Sequence, residues 1–256
     1  MSLAIETHHL TRFFGDFCAV DGIDLRVERG TFYGFLGPNG AGKSTTIKML
    51  TGLLAPSGGD VRVLGRDVRQ PREALEVKKH VGVVPEDLAL FDNLTAREYL
   101  TFIGRMYLLP RDTVRRRIDE LLALLGLEGD EKKLTLEYSH GMKKKLALAA
   151  AVLPNPDLLF LDEPFEAVDA VTSRVIRDQL AAYVARGSTV FLTSHVLEIV
   201  EKLCTHVGII VKGALVEQAS LDAIRQGGTL EERFLEKAGA DADATRKLSW
   251  LEGSGP

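Results

Sequence analysis

An α/β fold built on a mostly parallel sheet is predicted by three observations. Short apolar, β-prone runs recur along the chain as FYGFLG, VGVVP, DLLFLDEP and STVFLTSH, with helical patterns between them. Each run closes on turn or polar residues, as buried parallel strands do when they carry functional groups to their carboxyl ends. The segment TIKMLTGLL, following the glycine-rich stretch GPNGAGKS, sets Ile47, Leu50 and Leu54 at helical spacing, which makes a strand–loop–helix unit.

Two regions depart from that rhythm. LRVERGTFYGFLG and GDVRVLG alternate in the manner of an antiparallel sheet near the N-terminus. Between about residues 94 and 153 the pattern turns almost wholly helical, so a helical insertion into the α/β core is expected. Thr95 with Glu98 forms a capping box ahead of REYLTFIGRMYLL, and DTVRRRIDELLALLG follows Pro110. HVGIIVKGALVEQ reads as a hairpin turning at Lys212-Gly213, and Thr229 with Glu232 caps a last helix, LEERFLEKAG. The closing ADADATRKLSWLEGSGP has little apolar periodicity and reads as a loose tail, in which Trp250 is either a docking anchor or an ordinary exposed residue.

The chain has 256 residues, 45% hydrophobic and 27% charged, enough for a substantial core in one domain or two closely joined lobes. A net charge of −4 gives no global reason to expect nucleic acid as partner. Cys18 and Cys204 lack metal or redox spacing, and a reducing cytoplasm is the expected compartment. The start MSLAIETHHL lacks a basic region ahead of an apolar one, so no signal peptide is expected. The longest apolar runs, such as LALAAAVL, fall short of the roughly 20 residues a membrane span needs. Any membrane path would belong to another chain.

Four stretches carry chemistry. G-x-x-x-x-G-K-S runs from Gly37 to Ser44, and the candidate nucleotide-binding segment comprises Gly37, Pro38, Asn39, Gly40, Ala41, Gly42, Lys43, Ser44, Thr45 and Thr46. Its glycines let backbone amides approach phosphate oxygens, and the following helix adds its positive end. Lys43 would reach the β and γ phosphates, and the Ser44 hydroxyl would ligate Mg²⁺. LLFLDEP drives Asp162 and Glu163 to a strand mouth, the first to assist Mg²⁺ and the second to orient or activate water. TSH places His195 on the same sheet edge, within reach of a γ phosphate. In YSHGM, Ser139 and Gly141 begin a helix, either as a second anion site or with Ser139 as an ordinary N-cap.

Taken in order, the phosphate loop, YSHGM, LLFLDEP and TSH resemble the nucleotide-binding domain of ABC (ATP-binding cassette) ATPases over about residues 3 to 220. The resemblance implies a RecA-like P-loop NTPase core with an N-terminal antiparallel β subdomain and an inserted α-helical subdomain. It implies an ATPase domain over 1–220 and a C-terminal helix and flexible tail over 221–256. ATP and Mg²⁺ are the implied cofactors, with ATP and water converted to ADP and phosphate by Glu163, His195 and Lys43. YSHGM stands where the family carries Leu-Ser-Gly-Gly-Gln, so Ser139 and Gly141 would contact ATP held by the opposite subunit of a head-to-tail dimer. That dimer would be a homodimer or a pair with a paralogous subunit. Phe14 matches the aromatic that stacks on adenine, with a core phenylalanine as the alternative. Glu86 occupies the place of the loop glutamine that touches Mg²⁺ and senses a transmembrane partner. EAVD, ending at Asp169, stands for the D-loop without its proline.

Glu86 and YSHGM look most like the ATPase subunits of ABC-2 type exporters, which implies a separate transmembrane permease and a position on the inner face of the membrane. A soluble ABC ATPase acting on nucleic acid or the ribosome is the alternative, but the chain shows one cassette, no zinc spacing and no heptad run. A GTPase would carry N-K-x-D, which no asparagine here begins. The basic clusters Arg115–Arg117 and Lys143–Lys145 read as solvated helix faces rather than contact patches.

Overall fold

The computed structural model describes residues 2–239, so Trp250 and the segment after residue 239 lie outside the described residues. The strands β4 (Phe32–Leu36), β8 (Leu158–Asp162) and β9 (Thr189–Ser194) are buried along their entire length. Burial on both faces requires continuous apolar runs, and central parallel strands supply them. With β7 (Val81–Val84), β10 (His206–Val211) and β11 (Ala214–Ser220) they form one sheet in the order β11-β10-β4-β9-β8-β7. All pairings are parallel except that of β10 with β11, the hairpin expected at Lys212-Gly213. Both turn residues have positive φ, 47° and 86°, as a two-residue hairpin turn whose twist suits its strands demands.

A second, antiparallel sheet joins β2 (Phe17–Ile23), β1 (Leu3–Phe14), β5 (Gly58–Val63) and β6 (Arg66–Asp67), with β3 (Arg26–Glu28) also paired to β1. The structure divides LRVERGTFYGFLG, which reads as one alternating stretch. Its first half, β3, is antiparallel to β1, while β4 inserts between β10 and β9 in the parallel sheet. Alternation alone does not distinguish the two, because the Gly30 turn (φ 72°) resets the facing of the chain between them.

Period-two facing sends β4, β8 and β9 into two cores. Tyr33, Phe35, Phe160 and Phe191 meet Ile47 and Leu50 of α1 (Lys43–Leu50) and the antiparallel sheet. Phe32, Leu36, Leu159, Leu161, Val190 and Leu192 face the opposite way, toward helices that include α5 (His140–Val152) and α6 (Ala170–Ala185). α2 (Pro71–Lys79) precedes β7, and between β7 and β8 lie α3 (Ala96–Met106), α4 (Arg111–Leu124), two short 3₁₀ turns and α5, the helical run expected there. Thr95 and Glu98 close the capping box in both directions, and Thr229 and Glu232 do the same for the last helix, Leu230–Ala238. Among the described residues no helix is long and apolar enough to cross a membrane. Cys18 and Cys204 are free thiols, and burial pushes the Cys204 thiol up from its ordinary pKa.

Candidate nucleotide site

Parallel pairing fixes where the chemistry collects. Leu36 lies opposite Ser194, and Asp162 opposite Thr193, so the ends of β4, β8 and β9 form one edge. Ligands in such sheets bind outside the carboxyl ends of the strands.

The glycine loop leaves β4 at that edge. A Cβ on Gly37 would fall 2.4 Å from the Ile210 carbonyl oxygen, and one on Gly42, where φ is 106°, would fall 2.5 Å from that of Ala19. Neither position admits a side chain, so the loop can tighten around its own amides. Gly42 then caps α1, whose unpaired N–H groups make an anion-binding end. Lys43 is buried and donates from Nζ to the Gly37 carbonyl (2.8 Å) and the Pro38 carbonyl (3.2 Å), which curls it over the loop.

Thr193 organises the acids. Its hydroxyl donates to Asp162 Oδ1 and accepts the Glu163 backbone N–H at 3.1 Å. Glu163 has φ 46°, a left-handed conformation that non-glycine residues rarely hold and that clusters at functional sites. Its side chain is 10% exposed, and Oε2 lies 3.1 Å from Nδ1 of His195. Glu86, in the loop after β7, accepts the Ser44 hydroxyl at 2.9 Å through Oε2.

A cavity of about 530 Å³ joins these groups, lined by Asn39, Gly40, Gly42, Lys43, Ser44, Thr45, Glu86, Asp162, Glu163 and His195 among others. Gly37, Pro38, Ala41 and Thr46 do not line it. Ala41 and Thr46 are buried, and the Thr46 hydroxyl donates to the Gly42 carbonyl at 2.8 Å. Sequence reasoning missed Phe17, Glu166 and Thr193. Phe17 was signalled by FFGDF, since a tight turn at Gly15-Asp16 pairs it with Phe14 across the hairpin. Thr193 could be found only through strand register.

Phe14 is 46% exposed at the cavity wall, which excludes the core alternative, and the Arg12 guanidinium sits 4.6 Å from its ring centroid. One ring face is thereby covered and the ring is braced. Phe14→Ala is expected to weaken ATP binding about tenfold in a fluorescent-nucleotide titration, since stacking on an aromatic contributes roughly 1–3 kcal/mol per base. An unchanged Kd would remove Phe14 from the base site.

Ser139 and Gly141 do not line this cavity. Ser139 is the N-cap of α5 and accepts the Met142 N–H at 3.2 Å. A Cβ on Gly141 would lie 2.6 Å from the Ala167 carbonyl oxygen, so the start of α5 touches the loop between Glu163 and Asp169. Asp169 caps α6 by accepting the Thr172 N–H (2.8 Å); that bond and Lys145 at 3.1 Å hold its carboxyl well below the usual range. The two basic runs are not uniformly solvated faces. Lys144 is 1% exposed, and Arg117 donates to the Leu153 carbonyl (2.7 Å) at the end of α5, while Arg115 and Arg116 are exposed.

A sheet edge bearing a phosphate loop, two strand-end acids and a histidine defines a P-loop nucleoside triphosphatase. The ABC transporter family matches residues 20–166, more than half the chain, and the chain belongs to that family as one of its ATP-binding, ATP-hydrolysing proteins. It is 37% identical to the bacitracin transport ATP-binding protein BcrA of Bacillus licheniformis over 88% of this chain and 72% of that one. It is also 37% identical to the daunorubicin/doxorubicin resistance ATP-binding protein DrrA of Streptomyces peucetius, over 96% of this chain and 74% of that one. Among solved structures, an ATP-binding subunit of an ABC transporter superposes with a TM-score of 0.84 at 29% identity, covering 92% of this chain and 99% of that one.

Proposed function

We propose that this chain powers an exporter, closing on a second nucleotide-binding subunit when ATP binds and reopening after hydrolysis, with a separate permease providing the membrane path. The observation that carries the reading is the division of the chemistry. Lys43, Ser44, Asp162, Glu163 and His195 share one cavity, whereas Ser139 and Gly141 lie outside it at a helix start. A second subunit is what could bring such a helix start onto the bound nucleotide. The exporter assignment draws on BcrA and DrrA, named for bacitracin transport and for drug resistance.

The donors at the phosphate end suit Mg²⁺. Ser44 Oγ, Glu86 and Asp162 offer hard oxygens, and Mg²⁺ is usually held by one or two carboxylates together with substrate phosphates and water. Bound there, the ion would neutralise charge on the β and γ phosphates. Glu163 and His195 would hold and orient water, and Lys43 would follow the γ phosphate. We also infer that residues 1–220 form the ATPase unit, with about 94–153 as its helical insertion, that the protein sits at the inner membrane face through its permease, and that nucleic acid is not a partner.

The test is to tag the chain in its native cell, solubilise membranes gently and identify what co-purifies. A stoichiometric multi-span membrane protein is the expected result. Ribosomes or DNA-bound proteins in its place would overturn the transport reading and leave the ATP chemistry standing.

A further inference from the structure

Lys144 is 1% exposed, and within hydrogen-bond reach its ammonium meets the Asp162 backbone carbonyl, at 3.3 Å. Burying a lysine is costly unless it is paired, and this one has no carboxylate within salt-bridge distance among the described residues. The groups whose charge it feels are Glu166, Asp162, Glu163 and Glu86, and all four line the nucleotide cavity. Its helix α5 starts at Ser139 and Gly141, and the peptide it grips joins Asp162 to Glu163. Helical spacing puts Gly141, Lys144 and Leu148 on one side of α5, so the residue that touches the Ala167 carbonyl and the residue that touches the Asp162 carbonyl lie one turn apart on one rigid body.

We propose that Lys144 is a positioning residue for ATP hydrolysis: from inside the helix that carries Ser139 and Gly141 it holds the Asp162–Glu163 peptide, and so sets the Glu163 carboxylate on the cavity. The other face of the same peptide is held by Thr193, whose hydroxyl takes the Glu163 N–H. The strained φ of Glu163 is thus fixed from two sides, by β9 and by α5. A displacement of α5 on subunit closure would be transmitted to Glu163 through this bond without any contact between Lys144 and the nucleotide. The proposal rests on Glu163 being the hydrolytic carboxylate.

The test compares Lys144→Met, which keeps the stem and loses the donor, with Lys144→Gln and Lys144→Arg, which keep a donor. ATP turnover in Lys144→Met is expected to fall about tenfold or more in kcat, with KM and the Kd of a fluorescent ATP analogue within about twofold of wild type. The donor-keeping variants should recover most of the loss. A folded Lys144→Met with unchanged kcat overturns the proposal, as does a parallel loss of kcat and nucleotide affinity that neither donor restores. Lys144→Leu is a second donor-free variant. If neither it nor Lys144→Met folds while Lys144→Gln is fully active, Lys144 serves stability and the proposal is wrong. Glu163→Gln is run alongside: if that variant keeps turnover, the site assignment has failed, independently of what Lys144 does.

Discussion

Glu163→Gln is expected to lower ATP turnover by at least about a hundredfold, because positioned acid–base groups contribute roughly 10²–10⁴. The substitution preserves shape and hydrogen-bonding reach, so the Glu163 N–H bond to Thr193 and the left-handed backbone should persist. Two things are lost. Water next to the γ phosphate would lose the base proposed for it, and His195 would lose the carboxylate that lies 3.1 Å from its Nδ1. Removing a negative charge from a cavity already lined by Glu86, Asp162 and Glu166 should also make bound triphosphate more favourable. The variant should therefore bind ATP at least as tightly as wild type while failing to consume it. With ATP and Mg²⁺, light scattering should show a stable dimer, set against phosphate release measured in the same samples. Turnover within threefold of wild type would assign the base elsewhere, and a strict monomer would count against the two-subunit clamp.

What could be read from sequence divides along a physical line. The phosphate loop, the capping boxes at Thr95 and Thr229 and the hairpin at Lys212-Gly213 are local, since a few consecutive residues dictate their own backbone. Asp162 and Glu163 were legible because a buried apolar strand ending in acids has few structural reasons to exist. Thr193 was not, since its role depends on lying opposite Asp162 in a strand 31 residues away in sequence. Lys144 misled for a related reason. A run of three lysines suggests a solvated face, yet helical periodicity already aligned Lys144 with Gly141 and Leu148 and separated it from its charged neighbours. Periodicity outranks composition in such a run, because a helix turns each successive side chain by about 100°. The division of LRVERGTFYGFLG between two sheets depended on pairing partners distant in sequence, which no local pattern encodes.

Gly141→Val is expected to abolish ATP-driven dimerisation and lower turnover at least about tenfold while leaving nucleotide binding by the single subunit intact, since overpacking at one contact costs roughly 1–3 kcal/mol. The clash is with backbone. A Cβ at Gly141 would lie 2.6 Å from the Ala167 carbonyl, and Ala167 itself has φ 57°, so this carbonyl has little freedom to turn away. Either the first turn of α5 moves out, taking Ser139 with it, or the segment from Glu163 to Asp169 shifts. The start of α5 lies outside the nucleotide cavity, and of the segment from Glu163 to Asp169 only Glu163 and Glu166 line it, while Phe14, Lys43 and Ser44 on the other walls are untouched. The Kd of a fluorescent nucleotide should therefore stay within about twofold of wild type, and the thermal midpoint should fall by only about 2–12 °C, at roughly 2–4 °C per kcal/mol for a chain of this size. The decisive sample is Glu163→Gln combined with Gly141→Val. If the start of α5 completes the site of a second subunit, the dimer that accumulates with Glu163→Gln alone must vanish in the double variant. A dimer that survives would mean that the subunits meet through some other surface, and that Ser139 is what its hydrogen bond to Met142 makes it, the cap of a helix.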